Sequence, residues 1–161
     1  MDTLAVDLAT GGGPWDAVGV LSAAAAVSSG LVAGIFFAFS VFVMRALGAV
    51  PPESGVAAMR SINRVIITPL FIAVFLGAGA LGVALAVLGP WPHAVAAALY
   101  VVGVFGVTGA RNVPWNNELD ALTPGTAEAA AYWAGYLRRW TAWNHVRTVA
   151  STGATVLYVI T

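Results

Sequence analysis

Four stretches of the chain are apolar for long enough to cross a hydrocarbon core, a task that takes about 20 residues of helix. Residues 17–44 and 65–92 contain no charged side chain. Residues 94–110 form a shorter run that must borrow from Pro90 or Arg111 at its ends. The fourth has to begin near Trp140, since residues 148–161 alone are too short. The pattern therefore predicts spans at about 17–44, 65–89, 92–111 and 140–161. The last differs from the others because it carries a polar stripe. At about 100° per residue, Trp140, Thr141, Asn144, His145, Arg147, Thr148, Ser151, Thr152 and Thr155 fall within an arc of about 160°. Ala142, Val146, Val149, Ala150, Val156, Leu157 and Ile160 occupy the opposite side. An arginine and a histidine in such a segment are costly unless they face a bundle interior or wet cavity and find partners there.

The remaining segments have to supply those partners. The first helix carries Gly19, Ala23, Ala26, Gly30 and Gly34 on one side, a small-residue face with a GxxxG that lets another backbone approach closely. Its end reads FFAFSVFVMRAL, with Ser40 among Phe36, Phe37, Phe39 and Phe42. These rings are either core and lipid contacts or the wall of a pocket for a flat apolar ligand. Pro51 and Pro52 close that element, and an amphipathic piece with Met59, Ile62 and Val65 leads into INRVIITP. Asn63 and Arg64 either anchor the chain at the interface or point inward at the depth of Asn144 and Arg147. Pro69 would free a backbone carbonyl one turn into the second span, which favours inward pairing.

Beyond the third span, ARNVPWNNELDAL sets Arg111, Asn112, Asn116, Asn117 and Glu118 around Pro114, which is expected to break the helix there. Asparagines beside a proline form turns, and at a membrane mouth they also form a cluster of donors and acceptors. Thr126 is a candidate N-cap for a helix whose Tyr132, Trp133, Tyr136 and Trp140 have the spacing of an interfacial aromatic belt. His93 falls in the short outer turn, a membrane thickness from His145, so the two histidines cannot share a metal.

Composition settles the class. The 161 residues are 60% hydrophobic with mean hydropathy +0.87, and only 9% are charged, against roughly 25% in soluble domains. This is an all-α, multi-pass integral membrane protein, read as a single four-helix bundle. There are no cysteines, so disulfides, thiolate nucleophiles and thiolate metal sites are excluded. Net charge is zero and all seven basic residues are arginines, which leaves no polybasic run for nucleic acid. Met1 to Asp16 carries three aspartates and no basic residue, unlike a secretory signal, so the first apolar segment is expected to be retained. Arg45, Arg60 and Arg64 lie in the first loop, and Arg111, Arg138, Arg139 and Arg147 in or beside the third. The positive-inside rule then puts both termini on the extracytoplasmic side of the cell membrane.

N-x-P-x-N-N at Asn112–Asn117, W-x-x-W-N-H-x-R-T at Trp140–Thr148, the FFAFS mouth and the INR before the second span occur in an order that resembles the anthrone oxygenase-like family of small membrane proteins. The resemblance runs from the first span onward. It implies a four-helix membrane bundle that oxygenates polyketide anthrones to anthraquinones in secondary metabolism with dioxygen, without a recognised flavin or haem motif.

That chemistry suits the residues. An anthrone has an acidic benzylic position, and its enolate is electron-rich enough to pass an electron to dioxygen. Arg147 and Arg64 would hold negative charge. Asn112, Asn116 and Asn144 would donate to phenolate oxygens, and Phe36 and Phe39 with Ser40 would cover the rings. Asn63, Asn117 and Trp143 complete the expected substrate wall. His145, with Glu118 as the other candidate, would be the base, because an imidazole titrates near working pH. A metal ion held by Glu118, His145 and an asparagine is the rival, though one histidine and no cysteine is a poor ligand set. Two other classes stay open: a small-molecule binder or transport accessory, and a structural network tying helix ends together. The expected partners are an aromatic small molecule and the lipid bilayer, and the small-residue faces are compatible with a homo-oligomer.

Overall fold

The computed structural model describes residues 16–161, so the expectation for the first fifteen residues lies outside them. Among the described residues the chain is all helical. Helix α1, Ala17–Gly48, begins at Asp16, whose carboxylate accepts from the Gly19 amide at 2.8 Å. It loosens into a π-helical stretch at Phe39–Val43 and ends before Pro51. Helix α2, Pro52–Val65, uses its proline in the first turn, where a missing N–H costs nothing, and buries Gly55, Val56 and Met59.

Helix α3, Pro69–Leu88, starts later than residue 65. Thr68 caps it, accepting from the Phe71 amide at 3.1 Å, and Pro69 occupies the first helical position. Pro69 thus opens a helix and frees no carbonyl inside one. Helix α4 runs unbroken over Trp91–Ala121. Pro114 does not break it, because π-helical turns at Leu99–Gly106 and Thr108–Asn112 widen the backbone before the ring. The Val113 N–H reaches back five residues to the Thr108 carbonyl, which absorbs the missing donor and the steric demand of the proline. Helix α5, Ala127–Ile160, is capped by Thr126, which accepts from Ala129 at 3.2 Å. At 34 residues it measures about 51 Å.

Helices α1, α3 and α4 are long and apolar enough to cross a membrane. The segment at 140–161 does not reach the same apolarity, for the reason already visible in its polar stripe. It packs nonetheless among the others: α1 lies on α3 and α5, and α4 closes the ring against α3 and α5. Val83, Val87, Val149, Val159 and Ile160 face outward, exposed, as side chains in contact with lipid do. Of the GxxxG pair, only Gly30 meets α5, where a Cβ would lie 3.5 Å from Thr155 Cγ2; Gly34 faces open space.

The core has two parts. One fills the space between α1, α3, α4 and α5 around Val32, Leu85, Tyr100 and Ala154. The other joins α2 to the first half of α5 through Met44, Met59, Leu119, Trp133, Tyr136 and Trp140. Gly55 allows that closeness, since a Cβ there would sit 2.8 Å from the Trp133 ring. Trp133, Tyr136 and Trp140 are accordingly buried in a stack, not spread as an interfacial belt. His93 also moves inward from the expected turn: it is buried in the first turn of α4, its Nε2 2.7 Å from the Ser22 hydroxyl.

Candidate functional site

The π-helical stretch of α1, the end of α2, the start of α3, the second half of α4 and the middle of α5 enclose a cavity of about 310 Å³. Its apolar wall includes Phe36, Phe39, Phe71 and Phe75. Its polar wall is Asn63, Thr108, Asn112, Asn116 and Arg147, with Trp140 between the two kinds.

Arg147 is 5% exposed and is held from three directions. One terminal nitrogen donates to Asn144 Oδ1 at 2.8 Å and the other to Thr108 Oγ1 at 3.3 Å. The guanidinium carbon lies 4.2 Å from the centre of the Phe36 ring and 5.0 Å from that of Trp140, so π faces stabilise the charge. Its Nε has no partner among the described residues. Among the described residues the one ion pair joins Arg60 to Asp120, and no carboxylate reaches Arg147. Asn144 is fully buried and locked in turn, because its amide nitrogen donates to the Phe36 carbonyl at 2.7 Å and to Ser40 Oγ at 2.8 Å. Ser40 lies 2.9 Å from the Thr148 hydroxyl, which completes a polar seam between α1 and α5.

A second set forms the rim. Asn116 Oδ1 accepts from the Tyr136 hydroxyl at 2.7 Å and from Trp140 Nε1 at 2.9 Å, leaving its amide nitrogen free of protein partners. The Asn112 amide nitrogen donates to the Trp140 carbonyl at 3.3 Å, while its buried Oδ1 accepts from no group among the described residues. The cavity wall therefore carries a cationic side chain and amide groups opposite aromatic rings. Burial, chiefly, raises the Tyr136 hydroxyl above the ordinary tyrosine range, and the Asn63 side chain beside it works in the opposite direction.

The expected site residues divide. Asn63, Asn112, Asn116, Arg147, Phe36 and Phe39 line one cavity, and Asn144, itself donating to Ser40, holds Arg147 from behind. Arg64 is exposed and donates to the Arg60 carbonyl, so it points away while its neighbour Asn63 points in. His145 is exposed on the outer side of α5, outside the cavity wall, because one step along the helix from Asn144 turns it by about 100°. Glu118 is exposed too, accepting from Tyr132 at 2.7 Å, and Asn117 is exposed beside it. Trp143 is half-buried under the Arg111 guanidinium, 5.1 Å away, and not in the cavity. No group of three or more histidine, cysteine, aspartate or glutamate side chains that could hold a metal occurs among the described residues. Thr108, Trp140, Phe71 and Phe75 were not singled out as site residues, although a threonine within an apolar run and a tryptophan on the polar stripe were the available signals.

The sequence profile of the anthrone oxygenase family matches residues 56–157. That stretch contains every polar residue of the cavity wall. No curated protein and no solved structure matches the chain.

Proposed function

Because the chain belongs to the anthrone oxygenase family, we propose that it is a membrane-embedded oxygenase that converts an anthrone-type aromatic ketone to the corresponding quinone with dioxygen and no further cofactor. The observation that carries this reading is Arg147, buried on the wall of an aromatic-lined cavity with no carboxylate partner among the described residues. A buried cation without a counter-ion is expensive, and a ligand that becomes an anion removes that expense. The volume, about 310 Å³, lies near the lower end of the roughly 300–1,000 Å³ of small-ligand sites and suits a few fused rings.

In the proposed reaction the benzylic CH₂ loses a proton and the resulting enolate puts negative charge on the ketone oxygen, where Arg147 holds it. The enolate gives one electron to dioxygen. The carbon radical and superoxide combine into a C–O bond, and the peroxide takes up a proton. Loss of the second benzylic proton with cleavage of the O–O bond then leaves the new carbonyl and one water. One oxygen atom stays in the product and the other leaves as water, so no external reductant is needed. Among the described residues neither histidine nor carboxylate lines the cavity, so the protein's share is stabilisation of the enolate, and the proton passes to water. Asn112 and Asn116 orient hydroxyl and carbonyl groups on the ring edges.

For topology we infer a four-helix bundle in the cell membrane, with 140–161 of α5 as the fourth crossing and both termini extracytoplasmic. Trp140, Asn144, Arg147 and Ser151 of the α5 polar stripe are buried against the other helices, which is what makes a less apolar helix tolerable there.

The full chain in vesicles, supplied with anthrone under air, is expected to form quinone with matched oxygen uptake well above the spontaneous rate; a rate equal to spontaneous oxidation would overturn the reading. The missing base supports one other reading, a carrier that binds the aromatic without turnover. Saturable binding with no acceleration would favour it.

A further inference from the structure

Ile35, Ile62, Ile66 and Phe71 line the cavity on one side and, on the other, an open groove of about 760 Å³ between α1, α2 and α3. The rest of the groove wall is aliphatic apart from Ser61 and Thr68, and no charged residue lines it. It lies where the chain leaves α2 at Val65 and enters α3 at Pro69. The absence of a continuous helix at that bend is what opens the wall. Leu31, Val65 and Leu70 of its wall stand exposed, an apolar rim that suits hydrocarbon and not water. Met59 and Trp140 of the cavity wall are buried and pack with Tyr136, Trp133 and Leu119 in one cluster, so side chains fill the space behind that part of the wall.

We propose that the cavity is filled sideways from the bilayer through this groove, and that its ligand is an uncharged, lipid-soluble aromatic ketone that arrives with its oxygen-bearing edge leading. The inference rests on the oxygenase reading for the ligand's chemistry. The order of surfaces supports the direction of travel, since the groove wall is apolar apart from the Ser61 and Thr68 hydroxyls, and the amide and guanidinium groups begin only beyond Ile35 and Phe71. The ligand must be neutral to cross hydrocarbon, because an anion there lacks any compensation. It becomes an anion only beside Arg147. An enolate formed there cannot return through an aliphatic passage, so deprotonation also retains it until oxygen has reacted.

The chain has no cysteine, so Ser61→Cys places a single thiol in the groove and outside the cavity wall. The full-length variant in phosphatidylcholine vesicles is capped with a bulky aromatic methanethiosulfonate, and the cap is later removed with a reducing agent. Two rates are followed: association of lipid-dissolved anthraquinone, a probe that is not oxidised, by quenching of tryptophan fluorescence, and oxidation of anthrone. Capping is expected to slow association by about tenfold or more, within the one to three decades over which association rates vary among variants of one site. Reduction should restore it, and oxidation at low substrate should fall and recover in parallel. Association unaffected by the cap would overturn the lateral route and leave the oxygenase reading intact. Cap-sensitive association without any oxidation would support the route and sink the oxygenase. No binding by the uncapped protein would overturn both.

Discussion

Arg147 donates to Asn144 across 2.8 Å with both side chains buried, and among the described residues no carboxylate joins them. The pair lies one helical turn apart on α5, a spacing that brings the two side chains within reach of each other. Asn144 spends its own donors on the Phe36 carbonyl and Ser40, which leaves its oxygen turned to the guanidinium. The result is a cation fixed in place yet not neutralised. Removing one partner of a buried charge pair leaves a deficit of several kcal/mol, and here that deficit is built in.

Thr108→Asp tests whether the free charge matters. Thr108 Oγ1 already accepts from Arg147 at 3.3 Å, so a carboxylate at this position meets the guanidinium directly. The folded variant should lose anthrone oxidation by about 10², comparable to losing one charge-stabilising donor, while Thr108→Ser stays near the parent rate. Full activity in Thr108→Asp would show that Arg147 need not be unpaired.

His145 should prove dispensable. It is exposed and off the cavity wall, so His145→Gln is expected to leave both the oxidation rate and its pH dependence unchanged. A flattened pH profile would return His145 to the role of base.

The rim makes a prediction for alkaline pH. Tyr136 is raised above the tyrosine range chiefly by burial, and Tyr132 chiefly by burial and then by its bond to Glu118. Unfolded tyrosine titrates near about pH 10. Above that the unfolded chain has lost protons that the folded one keeps, so stability falls as pH rises through the window between the two values and is unaffected below it. The ultraviolet tyrosinate band should show these two hydroxyls titrating late. Asn116→Leu strips the partner from Tyr136 and Trp140, which should cost about 1–3 kcal/mol for each buried group left unpaired and lower Tm. An unchanged Tm would contradict the assigned network.

Much of this arrangement was legible in the chain because membrane helices obey few rules. The polar stripe on α5 placed Asn144 and Arg147 inward while leaving His145 within the same broad arc; a single asparagine's neighbours decide which side of that arc is buried, and the period alone does not resolve it. Asn63 was separable from Arg64 only once α2 was seen to end at Val65 with its apolar face fixed by Met59. Pro114 misled for a different reason. A proline is tolerated inside a helix when wider turns precede it, and no residue in Thr108–Asn112 announces a π-helix. Trp133, Tyr136 and Trp140 have the spacing of an interfacial belt, and it is the packing of α2 against them, close at Gly55 and Trp133, that makes them core.

The most direct measurement is oxidation of anthrone by Arg147→Gln protein in vesicles, with folding checked by helical content and by retained binding of neutral anthraquinone. Glutamine keeps a polar side chain beside Asn144 but removes the charge. If Arg147 holds the developing enolate, the rate should fall by roughly 10² or more while anthraquinone still binds. A folded Arg147→Gln protein that turns over anthrone at the rate of the unaltered chain would contradict the claim.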